Sequence, residues 1–278
     1  MGYPRILGKR EANMYQISCF ADEISPDVKE QIRIMQKCGI KYVCLRAAWG
    51  INVLSLTDAQ VSEFKKHIDD SGIAVSTLGS PIGKTNLDDD NDIYLDQCKR
   101  AADVCQMLDC KDIRMFSFYF NNDGRDRFTE VEERINKMLE IVKPYNIKLL
   151  HENENAIYGE GAANCLRLLE SIKSPFFRAI HDPANYVNDG HDPHAALLLL
   201  KPYIDEFHIK DARINPKQVV PAGQGDGRVL EALQELQHKD MYVTLEPHLA
   251  QGGQFGGFSG VASFMGAFAA LKLLLEQV

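Results

Sequence analysis

Residues 147–182 read IKLLHENENAIYGEGAANCLRLLESIKSPFFRAIHD. A short apolar run over residues 147–153 gives way to a segment of helical period, and a second short run follows over 177–182. Strand, helix, parallel strand is the reading of such a unit, because parallel neighbours need a long crossover that a helix supplies. The alternation continues in both directions, predicting further strands at Gln16–Phe20, Lys41–Leu45, Ile73–Leu78, Asp112–Ser117, Glu206–Ile209 and Tyr242–Glu246. Ser25-Pro26-Asp27 and Thr57-Asp58 mark helix starts, and Cys38-Gly39 and Ser71-Gly72 mark helix stops. Eight such units favour a closed (β/α)8 barrel, an α/β fold. An open doubly wound sheet is disfavoured because no G-x-G-x-x-G follows the first strand. The 278 residues suit one barrel domain over 15–278, preceded by an N-terminal extension over 1–14 in which Met14 offers an alternative start.

Composition narrows the function classes. The net charge is −8 and the basic residues are scattered, whereas nucleic-acid binding needs clustered positive charge. With 45% hydrophobic and 25% charged residues the chain has ample material for a core. No segment is long and apolar enough to cross a bilayer, so no membrane partner is expected. Seven cysteines without a C-x-x-C pair fit reduced thiols, which with the absence of a secretory signal predicts a cytoplasmic protein.

In a barrel of this type chemistry sits at the C-terminal ends of the strands. Four ends carry charge together: Leu149-Leu150-His151-Glu152-Asn153-Glu154, Ala179-Ile180-His181-Asp182-Pro183, Phe207-His208-Ile209-Lys210-Asp211 and Thr244-Leu245-Glu246-Pro247-His248. Charges converging at the mouth of an apolar barrel need a common partner, and a metal ion satisfies them. Two glutamates, an aspartate and an imidazole form an oxygen-rich set that suits Mn2+ or Mg2+ better than zinc.

The segments HENE (151–154), HDPAN (181–185), HIKD (208–211), GQGDG (223–227) and LEPH (245–248) make residues 16–276 similar to the xylose isomerase-like barrel superfamily. The resemblance is to its sugar phosphate isomerases and epimerases, which include tagatose and psicose 3-epimerases. It implies a single divalent metal held by Glu152, Asp182, His208 and Glu246, with Mn2+ the expected ion and Mg2+, Co2+ or Zn2+ as substitutes. It also implies a small keto-sugar substrate, a cis-enediolate intermediate, and Glu152 and Glu246 as the acid/base pair on opposite sides of it. A homodimer or homotetramer is the implied assembly. The departures are Tyr158, where the epimerases carry a further Glu, and Asn185, where they carry a His. Both positions help hold substrate hydroxyls in those relatives. A lyase that dehydrates inososes or cleaves 3-keto-glycosides on the same platform is therefore the alternative.

Strand alternation adds Glu154, Lys210 and His248, which share faces with the ligands, while His151 and His181 face the helix layer. Arg46 and Trp49 offer a polar grip and a stacking face to a sugar. Gly79 to Lys84 and Gln251 to Gly260 read as mobile glycine loops at the mouth, with Lys84 a substrate contact and Phe255 and Phe258 closing over the site. Asn185 completes the substrate-binding set. GQGDG and the 251–260 loop offer backbone amides to a phosphate, but no Lys or Arg falls between Glu246 and Leu271.

Overall fold

The computed structural model describes residues 15–89, 92–121, 123–250 and 257–278. The N-terminal extension and residues 251–256 of the loop after the eighth strand, Phe255 among them, lie outside these residues.

Eight parallel strands close the barrel: β1 (Tyr15–Cys19), β2 (Tyr42–Leu45), β3 (Ala74–Ile82), β4 (Asp112–Met115), β5 (Lys148–Glu152), β6 (Phe177–His181), β7 (Ile204–Ile209) and β8 (Met241–Leu245). Closure is made by β1 against β8, in register from Tyr15 opposite Met241 to Cys19 opposite Leu245. Around them lie α1 (Val28–Cys38), α2 (Asp58–Asp69), α3 (Ile93–Met107), α4 (Phe128–Val142), α5 (Ala162–Ile172), α6 (Pro183–Asn188), α7 (Pro193–Leu200), α8 (Val229–Leu236) and α9 (Gly260–Leu275). Local chemistry fixes the helix ends. Asp27 accepts from the Lys29 amide at the start of α1, and Thr57 and Gln60 form a reciprocal capping box on α2. Gly39, at φ +70°, closes α1 in the left-handed region.

Alternation along the strands sends one face to the helices and the other to the barrel axis. The helix-facing residues form one continuous apolar core from Cys19 to Leu274. The axis is polar at mid-height: the Thr77 and Thr244 hydroxyls donate to Glu206 at 2.5 Å each, and Ser18 bonds Ser76. The seven cysteines are unpaired, and all but Cys38 are buried. Among the described residues, no helix is long and apolar enough to cross a membrane.

One expectation is corrected. Gly79 to Ile82 do not form a mobile loop but continue β3, with Ile82 paired to Met115 of β4. Glycine is required there for close approach: a Cβ on Gly79 would lie 2.9 Å from the Phe20 ring, and one on Gly83 would lie 1.9 Å from the Phe116 carbonyl oxygen.

Candidate metal centre and active site

Glu152 is the last residue of β5, Asp182 and Glu246 directly follow β6 and β8, and His208 is the penultimate residue of β7. At this end of the closed barrel one ligand atom from each lies within 4.8 Å of the others. All four are buried. His208 Nδ1 lies 3.3 Å from Glu152 Oε1 and 3.2 Å from Glu246 Oε2. Yet both imidazole nitrogens and Glu246 Oε2 are buried without a hydrogen bond. Orphaned atoms of this kind in a carboxylate cluster fit a cation that they would share. Behind His208, Glu206 Oε1 stands 3.6 Å from Nε2, the type of carboxylate that orients a ligating imidazole.

Asp182 is held from three directions. Its Oδ1 accepts from the Asn185 amide at the start of α6, its Oδ2 accepts from Lys210 Nζ at 3.0 Å, and its backbone N–H donates to Asn153. Lys210 also donates to Asn185 Oδ1 at 2.7 Å. Arg114 donates to Glu152 Oε2 at 3.1 Å and to the Gly79 carbonyl, between the Phe20 and Phe116 rings. Arg46 bridges Asp22 at 2.7 Å and Glu246 Oε1 at 3.2 Å.

These cations decide the protonation states. Burial alone would raise the Glu152 pKa, but His208 and Arg114 outweigh it and hold Glu152 at about 2. Burial likewise opposes ionisation of Glu246, and Lys210 and His248 overcome it, leaving that carboxyl well below its usual range. Burial wins at Asp182, which rises to about 6 despite Lys210. His208 is driven well above the ordinary imidazole value, since the attraction of Glu152 exceeds the penalty of burial. A bound cation would take the place of that proton.

Two members of the cluster reach a pocket of about 240 Å3. Glu152 and Glu246 line it, together with Arg46, Lys84, Glu154, Asn185, Lys210 and His248. Lys84 pairs with Glu154 at 2.8 Å across the mouth. His248 Nε2 stands 3.3 Å from Glu246 Oε1, and burial lowers its pKa to about 4. Trp49 does not line this pocket: its ring stands beside Phe64 and His67 of α2, with centroids 6.3 and 6.5 Å apart. Tyr158 turns away as well, toward Arg167 Nη1 at 3.2 Å. His151 and His181 lie on the helix side, His151 on Ser117 at 3.0 Å and His181 against Tyr186 and Phe207.

The phosphate expectation for GQGDG does not stand. The amides of Gly223, Gly225 and Gly227 donate to the Asp211 carboxylate at 2.9 Å each, so an internal anion occupies the place a phosphate would take. Sequence reasoning passed over Arg114, Asp22 and Glu23. The available signal for Arg114 was an arginine set between Ile113 and Met115 in the short strand DIRM. Glu23, raised by burial to about 8, forms a second close group with Glu246 and His248, but Arg46 Nη1 already stands among them, 3.5 Å from His248 Nε2.

No curated protein sequence matches the chain. Among solved structures, the probable 3-DHS dehydratase AsbF of Bacillus anthracis is 16% identical with a TM-score of 0.74, over 93% of this chain and 98% of that one. A xylose isomerase-like TIM barrel protein from Mycobacterium smegmatis, in complex with magnesium, is 13% identical with a TM-score of 0.71, over 95% and 98%. The D-psicose 3-epimerase of Clostridium cellulolyticum H10 is 14% identical with a TM-score of 0.70, over 94% and 98%. At such identities the likeness is one of fold. The family described as xylose isomerase-like TIM barrel matches residues 28–259, most of the chain. With a closed eight-stranded barrel and this match together, the chain belongs to the xylose isomerase-like TIM barrel family.

Proposed function

We propose that this protein is a divalent-metal-dependent isomerase or epimerase of a keto-sugar, working through an enediolate of its substrate. The observation that carries this reading is the set of orphaned buried atoms on His208 and Glu246, grouped with Glu152, where Glu152 and Glu246 line a pocket. Glu152, Asp182, His208 and Glu246 would hold the ion, with Mn2+ the first choice for so oxygen-rich a set and Mg2+, Co2+ or Zn2+ as substitutes. Such an ion polarises a ketone and acidifies the neighbouring C–H.

The chain's own residues do the rest. Glu152 and Glu246 are both held as carboxylates at neutral pH, so one can accept the substrate proton while the other, once protonated, returns one. Arg114, Arg46 and Lys210 place fixed positive charge beside the position where the enediolate's negative charge develops. Asn185 and Lys210 keep Asp182 in place. The partner in this reading is a small sugar, and the working form is a homodimer or tetramer in a reducing compartment such as the cytoplasm.

A lyase that removes the same proton and expels a neighbouring oxygen is the second reading. It is favoured by Tyr158, which is committed to Arg167 and leaves that position without a contact to a ketohexose hydroxyl. Proton NMR of the Mn2+-loaded and Mg2+-loaded enzyme with ketoses, inososes and 3-keto-glycosides in D2O separates the two. Deuterium entering one carbon as an epimer or isomer accumulates supports the isomerase; an eliminated fragment supports the lyase. Absence of C–H exchange in every substrate would sink both.

A further inference from the structure

The reacting pocket opens into a second chamber. Glu154, Asn185, Asn188 and Val219 line the inner pocket of about 240 Å3 and also an outer recess of about 420 Å3. The recess owes one wall to an addition to the eight βα units, an antiparallel ribbon of Asp211–Arg213 and Gln218–Val220 inserted between β7 and α8. That wall is cross-braced. Lys217 Nζ donates to the Asn188 carbonyl at 2.8 Å, and on the other side Asn155 Nδ2 donates to Asp189 Oδ1 at 2.9 Å. A recess fixed by its own hydrogen bonds is formed before any ligand arrives, which lowers the ordering cost of binding. Among the described residues, the side-chain amides of Asn188 and Gln218 make no hydrogen bond and remain available.

The lining selects a chemical class. Lys217 stands against Glu154 and Asp189, so the formal charge of the recess is negative and a phosphate or carboxylate is disfavoured. Among the described residues of the lining Val219 is the one aliphatic side chain and none is aromatic, so no ring is there to stack on a planar group. Asn155, Asn188 and Gln218 offer carboxamides that both donate and accept. An uncharged group bearing many hydroxyls matches that set. We propose that the substrate carries two sugar units, the keto-sugar ring over Glu152 and Glu246 and a second ring in the outer recess. This rests on the keto-sugar reading of the inner pocket.

The test uses the full-length Mn2+-loaded enzyme. Apparent KM for C–H exchange in D2O is measured with methyl 3-keto-glucoside and with the 3-keto derivatives of cellobiose and trehalose. Binding of methyl glucoside, cellobiose and trehalose is followed separately by saturation-transfer NMR. A two-ring probe is expected to bind at least tenfold tighter than its one-ring counterpart. That ratio is expected to fall to threefold or less in the exposed variants Gln218→Ala and Asn155→Ala. Equal affinity for one- and two-ring probes, or a ratio that survives both substitutions, overturns the proposal. Tight, variant-sensitive binding of disaccharides without exchange in any keto-sugar would uphold the outer recess and remove the reaction assigned to the inner pocket.

Discussion

Asp211 and Glu246 are both buried carboxylates at the mouth of the barrel, and their surroundings differ in kind. Asp211 accepts four backbone N–H bonds, from Ala212, Gly223, Gly225 and Gly227, and both of its oxygens are used. Glu246 faces side chains instead: Arg46, His248 and, at 3.7 Å, Arg114 on one oxygen, and His208 without a hydrogen bond on the other. Backbone amides are fixed, so Asp211 is a structural anchor for the loop that returns to α8. The Glu246 cluster is held by side-chain charges that a ligand can rearrange, so in the proposed reaction its carboxylate is the one free for chemistry. Burial does not separate a functional acid from a structural one. The partners of its oxygens do.

The comparison predicts opposite phenotypes. Glu246→Gln should lower the rate of substrate C–H exchange by roughly 1,000-fold, the scale of a general acid/base, while near-UV circular dichroism stays that of the wild type. Exchange at the wild-type rate would show that Glu246 is no more chemical than Asp211. Asp211→Ala strips the partner from four backbone amides, two of them in buried hydrogen bonds, and should cost about 3 kcal/mol in urea unfolding, a loss that would appear with or without metal. If stability is unchanged, the loop does not depend on that carboxylate.

Asp182→Asn, which belongs on the Glu246 side, should weaken Mn2+ binding by roughly 100-fold in calorimetry and shrink the rise in melting temperature that Mn2+ gives the wild type. An unaltered Mn2+ affinity would take Asp182 out of the ligand set.

The smallest effect concerns a third, partly buried acid, at the other end of the barrel. Asp112 Oδ1 makes no hydrogen bond, its nearest cation is Lys148 Nζ at 3.4 Å, and burial raises its pKa from 3.8 to about 6. Between those values the folded chain keeps a proton that the unfolded chain has lost, so stability falls as pH rises through the window. The contribution is on the order of 2 kcal/mol. Asp112→Asn should flatten this part of the profile, with Lys148 retaining Asp205 at 2.8 Å. An unchanged slope between pH 4 and 6 would assign it to other groups.

The strands, the capped helices and the four acidic or imidazole strand ends were legible because they are local. Periodicity places a residue on a face, and the C-terminal end of a barrel strand places it at the mouth. HIKD shows where locality stops. Alternation puts His208 and Lys210 on one face and Asp211 on the other, but that Asp211 is closed off by amides 12 to 16 residues later is a fact of the folded chain. The same holds for Arg114, whose value comes from Glu152, 38 positions away, and for Trp49, whose ring stands beside Phe64 of α2. Sequence alone determined the barrel, its polarity and which strand ends carry charge, since these follow from side-chain period and backbone propensity. Only the tertiary structure decided which buried charges are spent on backbone amides, which are left facing one another, and that the pocket continues into a second chamber. Those outcomes depend on which atoms meet across the barrel mouth, and no local pattern records that.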